Sequence, residues 1–331
     1  MSATIKASQG APYSRIYGVG GERGNRVVSN AEMCTIIDSS DEWIQQRTGI
    51  VERRWATEDQ TPLSMSLVAG RKAIERSGVD PSQIDGVLVA TGSHTQQFPS
   101  LAVSVAAGLG LKDPAATDLS SACAGFCYGL SLADSMVRTG SAKYVLVVGV
   151  EILSRQTDFT DRGTAFLFGD GAGAVVVGPS ESPGIGPVVW GSDGDAADVI
   201  WTDEWNAALE AGKKPVIHME GNKVFRWATT FIAEKTAEAL EAAGLAPEEL
   251  DVFIPHQANN RITDSMLRRM HLPESVVISR DIRQMGNSSA ASIPIAMEAL
   301  LESGEAKSGD TALVIGFGAG LVYAGQVVLL P

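Results

Sequence analysis

Five short runs rich in β-branched and other apolar residues, at 86–90, 144–148, 174–177, 252–254 and 312–315, read as strands buried on both faces. Between many of them lie stretches whose apolar residues recur at helical spacing: 63–77, 100–109, 124–139, 225–243, 262–270 and 292–303. Gly78 and Gly244 stand where left-handed caps end helices. Such alternation predicts an α/β architecture, a parallel sheet covered by helices. The segments 75–90 and 241–256 echo each other, each running from a helix end through Gly, Pro and Asp into a strand. This predicts two duplicated halves, 1–180 and 181–331, joined where Pro179, Pro183 and Pro187 interrupt regular structure. The stretch 191–215 carries Asp193, Asp195, Asp198, Asp203 and Glu204, and reads as a solvated surface excursion rather than a metal loop.

Composition narrows the function classes. The 331 residues allow one large domain or two fused ones, and 44% hydrophobic with 20% charged residues describes a folded globular chain. Lys and Arg number 26 against 39 Asp and Glu, a net charge of −13 that opposes a nucleic-acid partner. The first twelve residues lack an apolar leader region, and Gly149 and Glu151 interrupt the most apolar run, so a cytoplasmic protein without a membrane partner is expected. The three cysteines, Cys34, Cys123 and Cys127, are too few and too odd in number for a disulfide framework, leaving at least one for chemistry.

Cys123 follows a strand end at 117–119 and precedes a helical pattern, which puts a thiol at a helix N-terminus among the small residues Ala122, Ala124 and Gly125. Unpaired amides there favour a thiolate. The helix dipole supplies only about 0.3–1 kcal/mol, so a thiol starting near pKa 8.5 stays mostly protonated at pH 7 and needs a second helper. By local context alone, a buried structural cysteine is the better reading of Cys123, and more strongly so of Cys34 and Cys127. His256 ends the apolar run 252–254, where open α/β sheets place ligands, though a satisfied structural histidine also fits. Asn287 lies between a turn glycine and a helix, and as a single feature it reads first as an N-cap or turn asparagine. The run GFGAG from Gly316 is no dinucleotide fingerprint, since position 321 is leucine, but it brings backbone amides close to a reacting carbonyl. No C-x-x-C, H-E-x-x-H or EF-hand pattern occurs, and neither a metal nor a cofactor is expected.

Taken together, SACAGF around Cys123, PHQANNRI around His256, MGNSSAAS around Asn287 and GFGAG near the end resemble the β-ketoacyl-acyl-carrier-protein synthase III family. SSDEWIQQRTGI, TDRGTAFLFGDGAGA and GNKVFRWA agree, in the family's order, over nearly the whole chain. The resemblance implies a thiolase-like fold of two α/β halves in five αβαβα layers. It implies an acyltransferase that condenses a short acyl-CoA primer with malonyl-acyl-carrier protein to start fatty-acid synthesis, acting as a homodimer. Cys123, His256 and Asn287 would be catalytic, with the amides of Cys123 and Ala319 forming an oxyanion hole. Trp43 and Arg162 would hold the CoA adenine, Arg47 would lie near its phosphates, and Asn222 and Asn259 would line the pantetheine tunnel. Phe98, a position the family inserts into the partner's acyl pocket, implies an acetyl or short branched primer. Because the carrier is acidic, Arg226, Arg261, Arg268 and Arg269 are candidates for the patch that meets it, with an ordinary solvated helix face as the alternative for Arg268 and Arg269.

Rival readings separate on specific features. A papain-like protease shares the Cys, His, Asn order but requires a C-G-[SA]-C-[WY] signature that is missing. A non-catalytic carrier-binding homologue predicts no covalent acylation, and polyketide-starter or alkene-forming relatives share both fold and nucleophile.

Overall fold

The computed structural model describes residues 5–331; residues 1–4, the start of the stretch read as lacking a leader, lie outside the described residues. Strands β1 (Tyr13–Arg23), β2 (Ile84–Ala90), β3 (Ala115–Leu119), β4 (Tyr144–Ile152) and β5 (Asp170–Ser180) form one five-stranded sheet in the order β1-β5-β4-β2-β3. Strands β6 (Val189–Gly191), β7 (Val252–Pro255), β8 (Val277–Ile278), β9 (Thr311–Gly318) and β10 (Val322–Leu329) form a second in the order β8-β7-β9-β10-β6. The two sheets have the same topology. In each, one strand (β2 or β7) pairs in parallel on both sides, and the next two pairings are antiparallel. The parallel sheet expected from the alternation is therefore mixed. The sequence pattern gave no sign of the change in direction because β4 and β5 are covered on both faces, as parallel strands usually are.

The helices that build the layers and flank the site are α1 (Asp41–Thr48), α2 (Pro62–Ser77), α3 (Leu101–Gly108), α4 (Gly125–Thr139), α5 (Gly221–Trp227), α6 (Ala233–Ala242), α7 (Asn260–Met270) and α8 (Ser292–Ser303), with further short helices at Asn30–Ile36, Trp205–Glu210 and Ile282–Met285. Local chemistry sets their limits. Thr61 and Ser64 cap α2 reciprocally ahead of Pro62, and Gly78 closes it in the left-handed region at φ 65°. Helices α4 and α8 lie between the two sheets, where Phe126, Leu130, Ile293 and Met297 pack against residues of both. Helices α2 and α3 cover the outer face of the first sheet, and α6 and α7 that of the second. Five layers, αβαβα, result, with β2 and β7 at the two positions matched by the sequence echo.

The single helix expected over 225–243 is interrupted. Ala228–Ile232 form a wider π-type turn between α5 and α6. The hydroxyls of Thr229 and Thr230 donate to the carbonyls of Phe225 and Arg226, both at 2.8 Å, and compete there with the backbone amides. Among the described residues no helix is long and apolar enough to cross a membrane.

Candidate active site

The carboxyl ends of the central strands face one cavity of about 440 Å³. Cys123, His256 and Asn287 line its inner part, and Trp43, Arg47, Asn222, Asn259 and Arg261 line its outer part.

Cys123 occupies a single tight turn, Ala122–Ala124, between β3 and α4. Ala122 takes φ 44°, a left-handed conformation costly for a side chain, so the surrounding structure fixes the turn. The end of β9 presses on it from the second sheet. A Cβ on Gly318 would stand 3.0 Å from the nitrogen, Cβ and Sγ of Cys123, so glycine is needed for this approach. Cys123 is half-buried and reached from the cavity, but protein encloses it otherwise. Burial pushes its thiol up to about 12, and the Ser289 hydroxyl pulls weakly the other way. The helix start thus does not ionise the sulfur, and the resting group is a thiol.

His256 continues β7, its amide donating to Ile315 O at 2.8 Å. Its ring is 2% exposed and meets the edge of Phe317 with centroids 5.3 Å apart. Burial pulls the imidazole down to about 3, so it is neutral. Nδ1 lies 2.8 Å from Ser292 Oγ, which already accepts the Gln257 amide at 3.3 Å. Assigning the serine proton to Nδ1 places the ring proton on Nε2, free to donate into the cavity. Asn287 is aimed in the same manner. The Ser289 amide donates to its Oδ1 at 2.9 Å, so both Nδ2 protons point elsewhere. Its backbone is held by the first half of the chain: Asn287 N donates to Leu167 O at 2.8 Å, and Gly169 N to Asn287 O at 2.9 Å.

At the outer end, the guanidinium carbons of Arg47 and Arg162 lie 5.4 and 5.5 Å from the Trp43 ring centre. Arg162 stands at the rim between the lining residues Asp161 and Gly163. Asn259 lines the cavity, but its carboxamide is largely occupied: Oδ1 caps α7 at Arg261 N (2.9 Å) and Nδ2 donates to Arg47 O (3.0 Å). Arg261 lies over the Phe225 ring at 4.8 Å, and Arg226, Arg268 and Arg269 are exposed, Arg269 pairing with Glu234 at 3.0 Å. Phe98, 86% exposed, lies outside the cavity of its own chain. Ala319 directly follows the lining residue Gly318.

The acidic excursion is more than solvated surface. Its strand Ile200–Thr202 pairs with Ile217–Met219 just beyond it, and Ile200 and Met219 stand in the cavity wall. A separate open depression is lined by Asp203, Lys213, Lys214 and His218 and contains no cysteine, serine or threonine. Among the described residues no group of three or more His, Cys, Asp or Glu side chains could hold a metal. Sequence reasoning missed Ser289 and Ser292, because serines in a small-residue turn give no periodic or charge signal.

A family model described as 3-Oxoacyl-[acyl-carrier-protein (ACP)] synthase III matches residues 117–194, and the model of its C-terminal part matches residues 240–330. The beta-ketoacyl-[acyl-carrier-protein] synthase III of Streptomyces glaucescens is 57% identical over 332 residues, covering 99% of each chain. The chain belongs to this synthase III family. It is a condensing acyltransferase with a thiolase-like fold. Among solved structures, the priming beta-ketosynthase of the R1128 polyketide pathway superposes with a TM-score of 0.95 at 46% identity, over 100% of this chain and 99% of that one. The synthase III of Aquifex aeolicus VF5 superposes with a TM-score of 0.88 at 38% identity, over 96% and 99%.

The buried neutral imidazole has a consequence for stability. Between about 3 and 6.5 the unfolded chain binds a proton at His256 that the folded chain refuses, so this group's contribution is lost as pH falls through that window. The loss is on the order of 3–5 kcal/mol. Thermal melts from pH 7 to pH 4 should fall more steeply for the parent than for His256→Gln, and parallel curves would exclude a buried neutral ring.

Proposed function

We propose that this enzyme joins a short acyl-CoA primer to malonyl-acyl-carrier protein by decarboxylative Claisen condensation, initiating fatty-acid biosynthesis. The observation that carries this reading is the convergence on one cavity of a thiol at a helix start with two aimed, uncharged donors, His256 Nε2 and Asn287 Nδ2. Cys123 attacks the primer thioester and releases CoA. Exchange between two sulfurs is nearly isoenergetic, so positioning matters more than driving force. The amides of Cys123 and Ala319 receive the carbonyl oxygen. Malonyl thioester then enters and loses carbon dioxide, and the negative oxygen of the resulting enolate accepts from His256 and Asn287. Neutral donors suit this step, because a cation there would bind the malonyl carboxylate and resist its loss. The carbanion attacks the acyl group on Cys123, giving the 3-oxoacyl carrier thioester.

In this reading Trp43, Arg47 and Arg162 hold the CoA head group, Asn222 and Asn259 flank its pantetheine arm, and Arg226, Arg261, Arg268 and Arg269 meet the acidic carrier. Phe98 serves the acyl pocket of a second copy in a homodimer, which favours acetyl or short branched primers. The halves 1–180 and 181–331 each contribute part of the site, no cofactor is required, and the enzyme works in the cytoplasm.

The R1128 relative favours one second reading, priming of polyketide synthesis, which uses the same chemistry. Product analysis tests both. Short acyl-CoA with malonyl-carrier from fatty-acid synthesis should give the 3-oxoacyl carrier thioester. Turnover only with a polyketide carrier would establish the second reading, and no product with any malonyl thioester would overturn both.

A further inference from the structure

Glu151 is the strongest unexplained group in the molecule. It is the penultimate residue of β4 and 1% exposed, and no ion pair to it occurs among the described residues. Its two carboxyl oxygens accept the Gly92 amide at 3.2 and 3.1 Å. Burial pushes the carboxyl up to about 7, while the nearby hydroxyls of Ser93 and Ser289 and the Gly92 amide favour its charged form. The same Ser289 hydroxyl faces the Cys123 thiol and pulls its pKa down, which sets Oγ between Sγ and the carboxyl.

This placement depends on a close crossing of the two halves. A Cβ on Gly149 would collide with the Ala290 carbonyl, so glycine there lets the Ser289–Ala291 turn lie directly on β4. Ser289 takes φ 47°, a strained conformation that turns its amide to Asn287, while its side chain faces Cys123 and Glu151. The other titratable groups on elements packed around Glu151 are few. Asp170, opposite Ile152 on β5, turns to Ser154 and Ala56, and His94 stands two residues beyond Gly92. A merely structural acceptor for Gly92 could be a glutamine, which avoids the cost of a buried charge.

We propose that Ser289 and Glu151 form a proton relay that activates Cys123 during acylation; this rests on the acyl-enzyme reading above. The Sγ proton passes to Ser289 Oγ as the serine's own proton passes to the Glu151 carboxylate. The sulfur electron pair forms the S–C bond to the thioester carbonyl, whose oxygen takes the displaced pair. When the tetrahedral centre collapses, the C–S bond to CoA breaks with its electrons on the CoA sulfur. That sulfur recovers the proton by the reverse path, so CoA leaves as a thiol and Glu151 is again ionised. Ser289 is the catalytic member, and Glu151 acts through it as a positioning and proton-holding residue. The relay supplies the helper that a helix start alone does not.

The test follows acylation of the whole chain by rapid mixing with acetyl-CoA, quenching and intact mass, from pH 5.5 to 9. The condensation step is measured separately on enzyme already carrying the acyl group. Glu151→Gln and Ser289→Ala should each slow acylation about 10²-fold and abolish the parent's rise in rate near neutral pH. Acylation should fall at least about tenfold more than condensation, and the double variant should be no slower than either single one. Acylation within about threefold of the parent, with its pH dependence intact, overturns the relay. So does an equal fall in both steps, which marks a structural role. Ser289→Ala keeps the backbone amide that holds Asn287, so it decides the matter if Glu151→Gln does not fold. An adduct on the parent separates failure of the relay from failure of the acyl-enzyme reading; no adduct on the parent overturns both.

Discussion

Replacing Cys123 with alanine should eliminate the acyl adduct and lower condensation by at least about 10⁴, the scale on which removal of a covalent nucleophile acts. The change deletes one sulfur from a side chain already facing a cavity, and alanine is compatible with a helix start. Stability should therefore move by no more than about 1 kcal/mol, and the melting curve should confirm an intact fold. Cys127 is the internal control. It lies one helical turn along α4, is fully buried, and burial pushes its thiol, like that of Cys123, up to about 12. Acidity does not distinguish the two thiols; access does, since only Cys123 lines the cavity. Intact mass after mixing with acyl-CoA should show one acyl group on the parent and none on Cys123→Ala. An adduct forming equally fast on the variant would transfer the nucleophile to another cysteine and sink the assignment.

His256→Ala should divide the two half-reactions. Acylation of Cys123 needs no donor at this position and should stay within about tenfold of the parent. Condensation should fall about 10²–10³-fold, the cost of removing one aimed donor from a developing oxyanion. Because the imidazole is neutral down to about 3, condensation from pre-acylated parent should show no acid limb near 6.5. A limb there would mean that the ring titrates normally and that its charge, not an Nε2 proton fixed by Ser292, governs the step. Equal loss of acylation and condensation in the variant would assign His256 to activation of the thiol instead.

The parts of the site that could be seen in the chain beforehand are those that interrupt a regular pattern. Cys123 stands between a strand end and a helical pattern, His256 ends an apolar run, and Gly316 and Gly318 follow another, so their positions at strand ends were legible. The glycine-rich β1 was not, because residues weak in strand propensity are tolerated when helix and strand neighbours supply the packing. The reversal between β4 and β5 was hidden because burial on both faces erases the alternation that marks antiparallel strands. Side-chain protonation was least legible. The helix-start argument already leaves Cys123 mostly protonated at pH 7, but it gives no sign of the enclosure that pushes the thiol further up. Glu151 looked like an interruption of an apolar run, and only the crossing of the Ser289 turn over β4 relates it to Cys123.

The backbone bonds that tie Asn287 to Leu167 and Gly169 have a temporal consequence. During translation the nucleophile emerges from the ribosome well before the segments that aim the two donors and carry Gly318. A nascent chain that has completed its first sheet therefore holds Cys123 without the machinery to use it, and competence arrives only when the later sheet docks.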